Sequence, residues 1–520
     1  MNKAILILFA TVTLEIFGQS PAPARQPAAS GVAKPKLVVV IVADQFRYDY
    51  LLRFRKEYKE GLNQLLTKGA VFLNARYDHF PTFTSVGHAA LLTGAFPSVN
   101  GIIGNQWYDR ESGKVVSSAA DESVRQVGGD GGRGASPRNL LVSTVGDELK
   151  MSGPGLNRVI GISLKDYSGI LATGHMADAV YWFDARSGNF VSSSYYLQDI
   201  PQWVKDFNSS KPADKYKGMN WQGTRLSDEA GPKLYGMLQF MPFGNDLVEQ
   251  MAESAIKAEQ LGRDGEPDLL VLSFSSNDYV GHTHGPDSGQ VREVSVATDR
   301  MLGKLFRFID TQIGLSNVAV VFTADHGVAP MPEVNAKRKM PGGRVSFAVI
   351  RSVVQKRLEE KYGPGNWISS TPEDTIYLNW NLIRTSKLSL EEVIDEAAQA
   401  ALDVPQVFRI YTRTQLTGGL GIRDQIGRRV MNGFSFRRGA DLYVLLDPYF
   451  FYGAGGSTTH GTAFGYDNHV PLIFMGPGIK AGQIYESAVM NDVAPTLSAI
   501  LGIETPSGSE GRILSEILAK

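Results

Sequence analysis

Apolar positions along this chain fall into two recurring patterns. Unbroken runs of strand length, rich in Val and Ile, occur in "KLVVVIVAD", "RVIGIS", "PDLLVLSF", "NVAVVFTAD" and "VPLIFMG". Continuous apolarity of this kind marks strands covered on both faces. Between them, "DLVEQMAESAIKAEQLG" and "SGQVREVSVATDRMLGKLFRFIDTQI" space their apolar residues three and four apart, as a helix with one buried face does. The alternation predicts an α/β core, a central and mostly parallel sheet with helices on both faces. In such sheets ligands gather beyond the carboxyl ends of the strands.

Residues 336–450 have a different texture. "GGRVSFAVI", "SVVQKRLEEKYG", "DTIYLNW", "SLEEVIDEAAQAALDV" and "QVFRIYT" read as strand, helix, strand, helix, strand. They predict a small α+β insert within a catalytic unit spanning 37–520, the other reading being a partner-binding or dimerisation unit. Ser389 with Glu392 forms a capping-box signature at the second helix. The Gly-rich stretch "GGDGGRGASPRN", 128–139, matches no nucleotide-binding fingerprint and reads as a flexible surface connection.

The first twenty residues place one Lys before a short apolar stretch and end in small residues, the order of a signal peptide, although Glu15 interrupts the stretch. Residues 21–36 are Pro/Ala-rich and read as a linker. Together they predict a periplasmic or secreted protein, and no later apolar run has the length of a membrane span. Cysteine is absent, which excludes disulfides, thiolate ligands and a cysteine nucleophile. With a formal net charge of −1 there is no basic footprint for nucleic acid.

Candidate chemistry lies at the strand ends. Asp44 follows the first run, Asp278 lies just past "LLVLSF", and Asp325 with His326 closes "VVFTADHG". A single carboxylate at a strand end is usually a turn or helix cap. Three of them, on strands of one sheet, predict convergence. His282 stands four residues after Asp278, and His460 lies in "STTHGTAFGYDNHVP" ahead of the last run. Mixed Asp and His donors suit zinc, and six of them suggest two ions, an arrangement that serves phosphoryl transfer. A nucleophile is expected in "FPTFTSVGHAALLTG", where a hydroxyl would meet a helix N-terminus that favours phosphate. Spacing alone leaves Thr82, Thr84 and Ser85 open, with helix capping by Thr84 or Ser85 as the plainer reading.

Taken in order, "VADQ", "PTFTSVGH", "GNQW", "SLKD", "SSNDYVGH", "TADHG" and "TTHGTAFGYDNHVP" resemble the alkaline phosphatase superfamily. The likeness is strongest to its single-chain bacterial phosphate-irrepressible branch with a threonine nucleophile, and it runs from about Lys36 to the C-terminus. The resemblance implies that Thr84 forms a covalent phosphothreonine. It implies two zinc ions, one on Asp278, His282 and His460 and the other on Asp44, Asp325 and His326 with the Thr84 oxygen. His88 and His284 carry no implied role and read as ordinary structural residues.

The phosphoryl clamp departs from the pattern. Monoester-hydrolysing relatives resemble Ser-x-Lys-x-Arg together with an Asn. Here "SLKDYSG" keeps Lys165, and "GNQW" supplies Asn105, but Tyr167 stands where Arg is expected. Losing that cation weakens dianion binding, because a charge-assisted contact contributes roughly 1.5–3 kcal/mol. The expected substrates are small phosphate monoesters, with a phosphodiesterase or nucleotide pyrophosphatase activity as the alternative that Tyr167 favours. A sulfatase is disfavoured, since "TSVGH" lacks the Pro and Arg of the sulfatase nucleophile motif. A non-catalytic module would be expected to have lost ligands, and a phosphomutase would usually carry a Ser nucleophile and remain in the cytoplasm.

Overall fold

The computed structural model describes residues 34–519 except 130, 154, 420–423 and 454. The signal peptide and most of the linker therefore lie outside the described residues. Ten strands form one sheet, in the order Gly482–Ile484, Ala70–Phe72, Leu472–Met475, Val318–Thr323, Leu37–Ala43, Asp268–Phe274, Val159–Ser163, Ala179–Asp184, Asn189–Ser193 and Gln126–Val127. The five from Val318–Thr323 to Ala179–Asp184 run parallel. Leu472–Met475 pairs antiparallel with Val318–Thr323, so the last apolar run closes the parallel block.

Leu37–Ala43 sits near the middle of the sheet and every one of its residues is buried, as its unbroken Val/Ile run requires. Its register pairs Ala43 with Phe274 and Val42 with Thr323, so three adjacent strands stop at nearly the same level. The chain leaves them at Asp44, at the Ser276–His284 helix, and at Asp325. The two long amphipathic stretches form helices Pro242–Ala258 and Gly289–Gln312. The carboxyl edge is thus one shelf on which several loops end.

Residues 343–452 carry their own sheet, in the order Ile368–Ser370, Thr375–Leu378, Leu442–Leu446 and Val407–Thr412. Two differences from the sequence reading have physical causes. "GGRVSFAVI" yields only a three-residue strand, Gly343–Val345, and Phe347 already opens the helix Phe347–Tyr362, whose buried face is Ile350, Val354 and Leu358. That spacing of four is helical, and it overrides the β-branched content. Leu442–Leu446 was not expected, yet it pairs with strands on both sides. Leu442, Val444 and Leu446 face the insert's own core, whereas Tyr443 and Leu445 join a second core with Ala89, Ile103 and Trp107. A strand buried on two faces loses the polar alternation that would reveal it. At Ser389 only half of the capping box forms, its side chain accepting from the Glu392 N–H.

Candidate active site

Two groups of side chains assemble at the carboxyl edge. Asp278, His282 and His460 form one, and Asp44, Asp325 and His326 the other, with donor atoms in each group within 4.8 Å of one another. The first joins two residues one helical turn apart on Ser276–His284 to the loop before Leu472. The second comes from the ends of two neighbouring strands. Five of the six side chains are buried and His282 is partly exposed.

The three histidines share one arrangement. Nδ1–H of His282 donates to the Thr458 carbonyl at 2.8 Å, that of His326 to Gly327 at 2.9 Å, and that of His460 to Thr82 at 2.8 Å. A carbonyl at Nδ1 leaves Nε2 as the free lone pair. His282 Nε2 lies 3.1 Å from Asp278 Oδ1, and His326 Nε2 lies 3.4 Å from both Asp44 Oδ1 and Asp325 Oδ2. Asp44 Oδ1 and Asp325 Oδ2 are buried without a hydrogen-bond partner.

Electrostatically the cluster is short of positive charge. Burial, followed by the charge of Asp325, pushes the Asp44 carboxyl well above the usual carboxylate range. Against the cost of burial, His282 and Lys165 hold Asp278 well below it. Burial keeps His326 and His460 neutral, the form in which imidazole binds a metal. Paired lone pairs, buried carboxylates with unsatisfied oxygens and neutral imidazoles suit divalent cations of the zinc type.

The three candidate hydroxyls separate cleanly. Thr82 Oγ1 donates to the Thr462 carbonyl at 2.9 Å, and Ser85 Oγ meets Ser118 Oγ at 2.7 Å. Thr84 opens the wholly buried helix Thr84–Thr93, and its Oγ1 lies 3.2 Å from His326 Nε2. Capping does not explain it, because Phe83 is the N-cap and no side chain caps this helix.

Lys165 lies two residues past the strand Val159–Ser163 and is the N-cap of the helix Asp166–Thr173. Its Nζ donates to Asp44 Oδ2 and Asp278 Oδ2, both at 2.7 Å, thereby touching one carboxylate of each group. Burial opposes its charge, yet Asp278 and Asp44 hold the ammonium well above the usual lysine range. Asn105 Oδ1 accepts the Ser85 N–H at 2.9 Å, which places the carboxamide beside the start of the Thr84 helix. Tyr167 is half-buried two residues on from Lys165. The Lys165 ammonium also lies 5.2 Å from the Tyr279 ring, which packs against half-exposed Phe240 at 4.9 Å.

Three contributors went unread in the sequence. Gln45 adopts a left-handed backbone, φ 63°, from which its N–H donates to Asp325 Oδ1 and its Nε2 to Asp278 Oδ1. It crowds Gly281 so closely that a Cβ there would lie 1.8 Å from Gln45 Oε1; the residue stands in "VADQ", where no neighbouring residue type signals the backbone turn. His88, expected to be structural, is buried with Nδ1 2.9 Å from the Thr84 carbonyl and 3.3 Å from Asp325 Oδ2. Its Nδ1–H serves the Thr84 carbonyl and its Nε2 meets Ser273 Oγ at 3.0 Å, so it packs beside a candidate ligand and ties the nucleophile helix to a neighbouring strand. His284 ends its helix half-buried and joins neither group. The third is Glu373, taken up below. The Gly-rich stretch is also tied to this region, since Arg133 pairs with Asp166 at 2.8 Å beside Lys165.

A sheet edge presenting two Asp/His groups, a hydroxyl at a helix start and a lysine is the equipment of a phosphoric-ester hydrolase, and comparison with known proteins agrees. Residues 38–467 match the model for type I phosphodiesterase / nucleotide pyrophosphatase, and the chain belongs to that family. It is 34% identical to alkaline phosphatase PafA of Elizabethkingia meningoseptica, with 94% of this chain and 96% of the relative covered. It is 35% identical to alkaline phosphatase PhoV of Synechococcus elongatus, with 94% of each covered. The crystal structure of wild-type PafA superimposes with a TM-score of 0.89 at 34% identity, covering 94% of this chain and 100% of the other. The chain is a phosphoric-ester hydrolase with an alkaline phosphatase-like fold.

Proposed function

We propose that the protein is a zinc-dependent alkaline phosphatase that hydrolyses phosphate monoesters through a phosphothreonine at Thr84. The observation that carries this reading is that, of three neighbouring hydroxyls, only Thr84 Oγ1 points to a candidate ligand, His326, the other two being engaged elsewhere. One zinc ion is assigned to Asp278, His282 and His460, and a second to Asp44, Asp325 and His326 with Thr84 Oγ1. Bound there, two such ions would supply Lewis acidity that lowers the pKa of the Thr84 hydroxyl and would offset charge developing on the leaving oxygen.

The chain's own groups account for the rest. Thr84 Oγ1 attacks phosphorus, forming a P–O bond as the bond to the alcohol oxygen breaks. Water then attacks the phosphothreonine, restoring the hydroxyl and releasing phosphate. The N–H groups of the Thr84–Thr93 helix start favour the anion. Lys165, lying between the two groups, supplies a cation to the phosphoryl oxygens. Asn105 is assigned a neutral hydrogen bond to the same oxygens. PafA and PhoV are named alkaline phosphatases, which supports the monoester reading.

A diesterase is the second reading, supported by Tyr167 and by the aromatic pair Tyr279 and Phe240 beside Lys165. A diester is a monoanion that needs less positive charge and more contact surface. We assign the protein to the periplasm or the exterior on the order of its N-terminal residues; among the described residues no helix is long and apolar enough to cross a membrane.

The deciding experiment measures kcat/KM for p-nitrophenyl phosphate and bis-p-nitrophenyl phosphate on zinc-loaded protein at alkaline pH, with Thr84→Ala and a chelator-treated sample alongside. Monoester preference, lost in both controls and restored to the chelated sample by zinc, supports the reading. Diester preference overturns the substrate class, and a fully active Thr84→Ala overturns the nucleophile.

A further inference from the structure

Asn105 is held in place from outside the sheet. Its backbone N–H donates to Glu373 Oε2 at 3.0 Å, and the next N–H, that of Gln106, donates to Glu373 Oε1 at 3.1 Å. Asn105 Oδ1 in turn accepts the Ser85 N–H beside Thr84. A single carboxylate therefore grips two consecutive amides of the loop that carries Asn105, and that loop reaches the start of the nucleophile helix.

Glu373 belongs to the insert, in the turn between the strands Ile368–Ser370 and Thr375–Leu378. The local backbone is built for this reach. Glu373 and Asp374 both adopt left-handed conformations, φ 48° and 59°, which non-glycine residues rarely take and which cluster at functional positions. On the receiving side, Gly104 leaves room for the carboxylate: a Cβ there would lie 2.3 Å from Glu373 Oε2. Burial pushes the Glu373 carboxyl up to about 8, even though the two amides favour its charged form. At the alkaline pH of a phosphatase assay both oxygens accept.

We propose that Glu373 is a positioning residue through which the insert sets Asn105 for contact with the phosphoryl group. This rests on the assignment of Asn105 to the phosphoryl clamp. It gives the insert a part in the reaction without any contact between insert and substrate.

The test is a double-mutant cycle. Glu373→Gln, Asn105→Ala and the double variant are assayed with p-nitrophenyl phosphate, together with the inhibition constant of inorganic phosphate and the melting temperature. Glu373→Gln puts an NH2 against one of the two amide donors, and a misplacement of about 1 Å caused from outside the site can cost about a hundredfold in rate, so a smaller shift costs less. The expected result is a loss of about tenfold in kcat/KM with weaker phosphate inhibition in the wild-type background, and less than about twofold in the Asn105→Ala background. Gly104→Ala, which pushes the carboxylate away from the other side, should reproduce the loss should Glu373→Gln fold poorly. Equal losses in both backgrounds, with Asn105→Ala itself costly, overturn the inference alone. A silent Asn105→Ala overturns the clamp assignment and the inference with it.

Discussion

Replacing Tyr167 with Arg restores the cation that the monoester-hydrolysing pattern expects and tests what this position does. Tyr167 is the second residue of the helix Asp166–Thr173, half-buried, with Lys165 as the N-cap of that helix. Burial pushes its phenol well above the ordinary tyrosine range, so at alkaline pH it is a neutral donor with an aromatic face. An arginine contact to a phosphoryl oxygen contributes roughly 1.5–3 kcal/mol. The gain is set against repulsion from Lys165, itself already shared between Asp44 and Asp278. With part of the gain offset in this way, kcat/KM for p-nitrophenyl phosphate should rise about tenfold. The monoanionic diester gains less and loses the aromatic surface, so the monoester-to-diester ratio should rise as well. The assay is the pair of kcat/KM values at alkaline pH with zinc present, next to melting curves. A folded Tyr167→Arg protein whose ratio equals that of wild type refutes the reasoning, because position 167 would then not face the phosphoryl group.

Two other outcomes follow from buried contacts. A Cβ on Gly87 would lie 2.3 Å from the backbone oxygen of Asp325, so Gly87→Ala should destabilise the fold by about 1–3 kcal/mol and lower the bound divalent-metal content relative to wild type in metal analysis; an unchanged metal content would contradict this. His79 is buried with neither ring nitrogen hydrogen-bonded, and burial, with Arg429, lowers it to about 3. The unfolded chain takes up this proton below about pH 6.5 while the folded one does not, so stability falls as pH drops from there toward 3 by about 1.4 kcal/mol per unit. His79→Phe should remove that slope from urea unfolding curves measured between pH 7 and 5, and parallel curves for the two proteins would rule it out.

The fold was legible where burial is total. Leu37–Ala43, Asp268–Phe274 and Val318–Thr323 are continuous apolar runs because both faces of the sheet are covered, and the two long helices declared themselves by period. The insert was harder. Phe347–Tyr362 reads as β-branched at its start, and Leu442–Leu446 faces two different cores, so neither shows a clean period. Asp44, Asp278, His282, Asp325, His326 and His460 could be picked out because strand ends of one sheet converge and because Asp and His are scarce in apolar runs.

What the chain order contains, then, is the α/β architecture and the residue types at its carboxyl edge, since both are written as local period and local composition. Which hydroxyl faces the histidine, that Lys165 bridges Asp44 and Asp278, that Gln45 donates to Asp325 and Asp278, and that Glu373 grips Asn105 from 268 residues away were decided only in three dimensions. Those contacts depend on backbone turns, side-chain directions and long-range approach, and none of them leaves a periodic trace in the sequence.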